Sequence, residues 1–339
     1  MRIGLNPNIN KQITPTDYFH QVVIPVYIPN EEGYFKDSFQ ILKNCIESLL
    51  KTSHSKTYFT LVNNGSCKTV ENYINQLHHD KKINEIVTTT NIGKLNAILK
   101  GIAGQNMPLI TITDADVMFL NHWQKSTYEV FLAFPKAGAV STTPSSRVLK
   151  QYTYNVILDN LFNKKMCFSK VVNKEAMKDF AISIQNPTFY NNYHLDNYLT
   201  ISNANTKAVI GASHFVATYK NVLFNNDFKK YSRYVLGGES ESEFLDKPVA
   251  KKGYWRLSTV ENYTYHMGNT QEEWMTTKMN SLYEEREEFN IFTLGSSKIS
   301  KIGNIIRLNL FNKILIKPFI WQKFLQYKGL SKEASKNYR

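Results

Sequence analysis

The 339-residue sequence predicts an α/β fold, a mixed and mainly parallel sheet flanked by helices, with an amphipathic helical extension at its C-terminal end. Three observations lead there. Short apolar runs alternate with segments of helical period through residues 21–113, the pattern of βαβ units. These runs are apolar at consecutive positions, as strands covered on both faces are. Residues 298–339 return to helical spacing, with aromatic and aliphatic positions on one side and lysines nearby.

The elements follow in order. Residues 21–27 (QVVIPVY) read as a buried strand closed by Pro29, and residues 37–50 as a helix with Phe39, Ile41, Leu42, Cys45, Ile46 and Leu49 at helical spacing. Residues 58–62 form the second strand, ending in Asn63-Asn64-Gly65-Ser66. A helix over 70–77, a short strand over 86–88, a helix over 94–102 and a strand over 108–113 complete the array, the last stopping at Asp114. Residues 150–205, rich in Tyr, Asn and Lys without clean period, read as a helical or loop insertion over the substrate side. Residues 208–217 form a strand or a strand-bulge pair in which Gly211 permits close backbone approach. Gly237-Gly238 then turns into the acidic stretch Glu239, Glu241 and Glu243, placed at a helix N-terminus, with the element ending near residues 250–253.

The composition narrows the function. With 42% apolar residues, 20 Tyr and 20 Phe, the chain has the material for a real core and is not a disordered polymer. Cys45, Cys67 and Cys167 are odd in number and widely spaced, which excludes a disulfide framework and a paired-cysteine metal site and points to a reducing compartment. No apolar leader core precedes residue 17 and no uncharged apolar stretch is long enough to span a bilayer, so a cytoplasmic protein is expected. Of the formal net charge of +13, residues 298–339 hold +9, from ten basic residues against Glu333, leaving +4 for residues 1–297. A nearly neutral body with one basic end argues against nucleic acid and for an acidic surface met by that end.

In a parallel sheet, ligands bind beyond the carboxyl ends of the strands. No glycine-rich phosphate loop stands there, which disfavours a Rossmann dehydrogenase or a P-loop nucleotidase. Asp114-Ala115-Asp116 does stand there, directly after a buried strand. Two carboxylates so placed are able to share a hard cation that keeps part of its shell for water or phosphate oxygens; as a bare pattern the same triplet also occurs in solvated turns.

With these motifs in place the chain resembles the GT-A glycosyltransferases, and within them the inverting family 2, over roughly residues 20–270. Residues 22–27 resemble the opening strand, whose Pro25, Val26 and Tyr27 would frame the nucleotide base. Asn63-Asn64-Gly65-Ser66 is similar to the second-strand Asp-Asp-Gly-Ser signature with both acids replaced by Asn. Asn91-Ile92-Gly93-Lys94 resembles the Asn-any-Gly element, Asp114-Ala115-Asp116 the Asp-any-Asp element, and Gly237-Gly238-Glu239-Ser240-Glu241 the element that supplies a catalytic base. His266 stands where a late histidine often joins the metal.

The resemblance implies an inverting, metal-dependent transfer from a nucleotide-diphosphate sugar, by default a UDP-sugar, to a hydroxyl of a bacterial surface glycan, with a glycan or glycolipid acceptor as partner. Asp114, Asp116 and His266 would hold Mn²⁺ or Mg²⁺. Asn63, Asn91, Lys94, Asp114 and Ala115 would engage the nucleotide, and Glu241 would be the base, with Glu239 second and Glu243 third; Lys94 and each Glu also fit as plain solvated helix residues. His214 reads as packing rather than catalysis. Residues 1–296 form the catalytic domain, divided near residue 120 into a nucleotide half and an acceptor half, and residues 297–339 the extension. Ile302, Ile305, Ile306 and Leu310, then Ile320, Trp321, Phe324, Leu325 and Tyr327, give it two apolar faces. They fit an interfacial membrane helix, which would make the protein peripheral on the inner face of the cytoplasmic membrane; they equally fit docking on the protein's own body or on an oligomer partner. Two other readings stand beside the enzyme: a non-catalytic glycan-binding scaffold, which Asn63, Asn64 and Ser240 permit, and a sugar nucleotidyltransferase, which should carry a glycine-rich loop that residues 22–30 lack.

Overall fold

Strand β1 (His20–Val26) has all seven residues buried and pairs in parallel with β2 (Thr57–Asn64) on one side and β4 (Leu109–Thr113) on the other. Its pairing with β4 stops at Val23, so Pro25, which has no N–H to donate, lies where β1 keeps a partner on one side alone. Helix α1 (Ser38–Thr52) buries Ile41, Leu42, Cys45, Ile46 and Leu49 against this sheet. Helix α2 (Lys68–His79), β3 (Glu85–Thr89) and α3 (Lys94–Ile102) follow as the βαβ reading requires, with element ends within about two residues of those expected. The computed structural model describes residues 4–12, 16–224, 231–238, 240–285, 290, 292–297 and 299–338.

Beyond β4 the chain makes the short β5 (Val117–Phe119), α4 (Trp123–Ala133) and β6 (Ala137–Ser141), then α5 (Tyr154–Asp159) and β7 (Met166–Lys170). Next come α6 (Lys174–Ser183), α7 (Asn192–Asp196), β8 (Asn197–Asn203), β9 (Thr206–Ile210) and β10 (Val216–Lys220). After them lie α8 (Lys247–Lys251), β11 (Trp255–Thr259), β12 (Thr264–His266) and α9 (Glu273–Ser281). Among the described residues one ten-stranded sheet runs β3-β2-β1-β4-β10-β6-β11-β9-β8-β7, and β5 pairs separately with β12.

The sequence expectation is corrected at two places. Residues 150–205 are not only an insertion over the site: β7 and β8 extend the main sheet at one edge as an antiparallel pair. Their period is obscured because β7 buries one side chain of five fully. The run 208–217 is two strands, β9 and β10, separated by a break at Gly211. That residue has φ +111°, and a Cβ there would stand 2.6 Å from Val148 Cγ2, so the close approach expected of Gly211 is real.

The extension folds as α10 (Lys301–Leu310), a wide turn over Phe311–Leu315, α11 (Pro318–Tyr327) and α12 (Lys332–Asn337). Trp321, Phe324, Leu325, Leu330 and Tyr338 are buried in the same apolar cluster as Leu149, Tyr154, Met166 and Leu199 of the body. The Phe168 N–H of edge strand β7 donates to the Lys328 carbonyl at 2.8 Å, and the Tyr338 hydroxyl to the Asn197 carbonyl. For the second helical pattern, therefore, the apolar side docks on the body and closes a sheet edge that would otherwise be open. Among the described residues no helix is long and apolar enough to cross a membrane.

Candidate active site

The carboxyl ends of β1, β2, β3 and β4 open onto one cleft of about 670 Å³. Pro25, Val26, Tyr27, Asn91, Lys94, Asp114, Ala115, Asp116 and His266 line it, joined by Ser183, Ile184 and Gln185 at the end of α6 and by Val235 and Leu236. The segment 150–205 thus reaches the cleft, through the end of α6. Asn64 lines the cleft and Asn63 does not. Neighbouring side chains on a strand point to opposite sides: Asn63 Oδ1 accepts the Ser66 N–H and closes the turn, whereas Asn64 accepts the Ile92 N–H and donates to Asn91 Oδ1. The expectation that Asn63 lines the cleft is thereby corrected: Asn64 stands there instead.

Two devices set the geometry of the charged groups. Gly93, with φ +88°, starts α3 where a Cβ would stand 2.7 Å from the Tyr234 carbonyl oxygen, and the Lys94 N–H donates to the Val235 carbonyl. Lys94 then reaches into the cleft, its Nζ 2.6 Å from Asp114 Oδ1 and 3.0 Å from Glu241 Oε1. The second device is the β5/β12 ribbon, which pairs His266 with Val117, while the Met267 N–H donates to the Asp116 carbonyl. A histidine 150 residues downstream is so delivered to the acidic turn, its Nε2 3.5 Å from Asp116 Oδ2 and its Nδ1 3.0 Å from Ser183 Oγ.

The electrostatics are uneven. Burial pushes the Asp116 carboxyl above the usual carboxylate range, with Asp114 adding to the effect and His266 and Lys94 opposing it. Its Oδ1 is buried with no hydrogen-bond partner. Burial works against the Lys94 ammonium, but Asp114 and Glu241 overcome it and hold the group above the usual lysine range. For Glu241 burial raises the pKa, and Lys94, helped by His214, overrides it and holds the carboxyl below its ordinary value. Among the described residues no three His, Cys, Asp or Glu side chains are gathered closely enough to form a metal group by themselves. The donor set nonetheless suits a hard cation. Mg²⁺ and Mn²⁺ are commonly held by one or two carboxylates plus substrate phosphate oxygens, and a buried carboxylate oxygen without a partner is a place for positive charge.

Of the three candidate bases, Glu241 does not itself line the cleft but reaches it through Lys94. Glu243 is directed to the surface, where it pairs with Lys247 one turn on, and Glu239 lies outside the described residues. Glu241 precedes a π-helical turn over Ser242–Asp246, an arrangement found often at functional sites. That turn carries a group the motif reading missed. Asp246, buried, accepts from Arg256 Nη2 at 2.7 Å, and its other oxygen is 3.2 Å from His214 Nδ1. Arg256 is fully enclosed and also donates to the Gln151 and Ala212 carbonyls. Burial lowers the His214 pKa, but Asp246 and Glu241 more than reverse this and raise it. His214 is thus not simply packed: a buried ion pair orients its half-exposed ring.

Residues 21–192 match the sequence profile described as Glycosyl transferase family 2. The chain belongs to that family. It is a glycosyltransferase of the GT-A fold, and the matched span carries β1 to β4 with their strand-end residues. Solved structures similar to this family 2 chain include TarS 1–349 of S. aureus, at 10% identity and TM-score 0.42 over 92% of this chain and 81% of that one. The same protein in complex with UDP-GlcNAc is similar at 12% identity and TM-score 0.42 over 94% and 70%. The mannosyltransferase PcManGT from Pyrobaculum calidifontis, in complex with GDP-Man and Mn²⁺, is similar at 13% identity and TM-score 0.43 over 96% and 81%. No curated protein matches the chain in sequence.

Proposed function

We propose that this glycosyltransferase moves a sugar, with inversion, from a nucleoside-diphosphate donor, by default a UDP-sugar, to a hydroxyl of a lipid-linked bacterial surface glycan. The observation that carries the reading is the acidic pair Asp114 and Asp116 at the end of β4, in the cleft, with the buried Oδ1 of Asp116 unpartnered. Pro25, Val26 and Tyr27 frame the nucleotide base, and Asn64 and Asn91, locked together, form the wall beside it. Asp114, Asp116 and His266, completed by phosphate oxygens of the donor, would hold Mn²⁺ or Mg²⁺, which would supply positive charge at the departing diphosphate.

The acceptor oxygen forms its bond to the anomeric carbon as the bond from that carbon to the diphosphate oxygen breaks; the hydroxyl proton goes to a carboxylate of the protein and the electron pair leaves with the diphosphate. Glu241 is that carboxylate. Lys94 keeps it ionised, so it is ready to accept a proton at neutral pH, and links it to the metal-side Asp114.

The test is release of nucleoside diphosphate from a panel of UDP- and GDP-sugars, with Mn²⁺, with Mg²⁺ and with chelator. Metal-stimulated release from one donor, abolished in Asp116→Ala, is the expected result. Release from none of them, together with no thermal shift by any donor, overturns it.

A further inference from the structure

The extension presents two apolar faces where docking needs one. Along α10 and the turn after it, Leu308, Phe311 and Leu315 face the body, and Asn304 among them accepts the Tyr154 hydroxyl. That face is the one α10 turns to the body. Ile302, Ile305, Ile306, Leu310 and Ile314 recur on the opposite side and stand in water, between 41% exposed at Leu310 and 72% at Ile302. A contiguous apolar ridge of this length on a soluble surface marks a contact with something else. Its surroundings say what. Residues 299–332 contain no Asp or Glu, Lys313 is exposed next to Ile314, and Lys317 and Lys323 are exposed further along the extension.

We propose that this outer face of α10 lies on a lipid surface with anionic headgroups. A symmetric contact between two copies would bring like charges together along its length. An anionic bilayer accepts both features at once, the isoleucines in the headgroup and acyl boundary and the lysines against the phosphates. The helix lies in the plane of the interface, while α11 and α12 rivet it to the body through Trp321, Phe324 and Tyr338. The inference deepens the reading above and rests on it only for the lipid-linked acceptor.

Flotation of the full chain with vesicles tests it, using phosphatidylcholine alone and phosphatidylcholine mixed with phosphatidylglycerol, at low and high salt. The wild type is expected to float with the anionic vesicles, and less so as salt rises. The Ile305→Gln/Ile306→Gln variant is expected to stay at the bottom. Lys313→Glu/Lys317→Glu is expected to bind about fivefold more weakly for each lysine lost. Both pairs lie on the outer face, so melting curves matching the wild type are expected. Donor turnover in solution, measured on the same samples and unchanged in both variants, judges the sugar-transfer reading separately. Failure of the wild type to float, flotation of both variants equal to wild type, or a wild-type dimer in light scattering that Ile305→Gln/Ile306→Gln dissolves each overturns the proposal.

Discussion

On one side of the cleft, Pro25, Asn64, Asn91 and Asp114 each stand at or just beyond the end of a strand in one parallel block, so the register of β1 to β4 fixes where they lie. On the facing side, Glu241 comes from a double-glycine turn into a π-helical turn, and His266 from a separate two-stranded ribbon. The first wall is positioned by one block of parallel ladders, the second by a separate ribbon together with side-chain ion pairs. Changes on the first should remove chemistry and leave the fold alone, whereas changes behind the second should disturb fold and chemistry together.

The largest catalytic effect is expected at Asp116. Replacing it with Ala should lower kcat/KM by about a thousandfold or more, since metal stabilisation of a leaving phosphate is worth several kcal/mol. The melting temperature should hold or rise, because the change removes a buried oxygen that has no partner. A parallel fall in stability would contradict the division between the walls. Behind the other wall, Asp246→Asn leaves the enclosed Arg256 without its counter-charge and should cost about 3–5 kcal/mol in denaturant unfolding, with activity falling as well. Glu241→Gln should reduce kcat by about a hundredfold while donor affinity stays the same, and Glu243→Gln, changing a surface pair, should stay within about twofold.

The smallest effect sharpens the link between the walls. Lys94 holds the Glu241 carboxyl below its ordinary pKa, so Lys94→Met should raise that pKa. The base must be ionised to act, hence the acid limb of the kcat profile should move to higher pH in the variant. An acid limb that stays in place would detach Glu241 from the proton transfer.

The same contrast explains what was legible in the sequence. Apolar runs closed by Asp114 or by Asn63-Asn64 announce strand ends directly, and the strand-end residues that line the cleft were legible almost residue by residue. The one error among them, Asn63 for Asn64, is a single step of strand alternation. Arg256 in β11 and Asp246 in the π-helical turn left no such trace, because a charged residue reads as exposed until its partner is seen. The edge strand β7 was missed because a strand with one fully buried side chain of five has no period to detect. In the extension two of the three helices were visible, but the sequence did not distinguish the face that packs on the body from the one that meets solvent.

That packing has a consequence for how the molecule is made. The cluster around Leu149, Met166 and Leu199 is completed only by Phe311, Trp321, Leu325 and Tyr338, so the sheet edge waits for side chains encoded more than a hundred codons later. While the ribosome is still short of them, β1 to β4 already have all their strand partners, and the β7/β8 edge stays open and apolar. Aggregation and quality-control proteolysis are therefore expected to act on the nascent chain at that edge, and a premature stop anywhere in the last helices should be read by the cell as a folding defect rather than a trimmed tail.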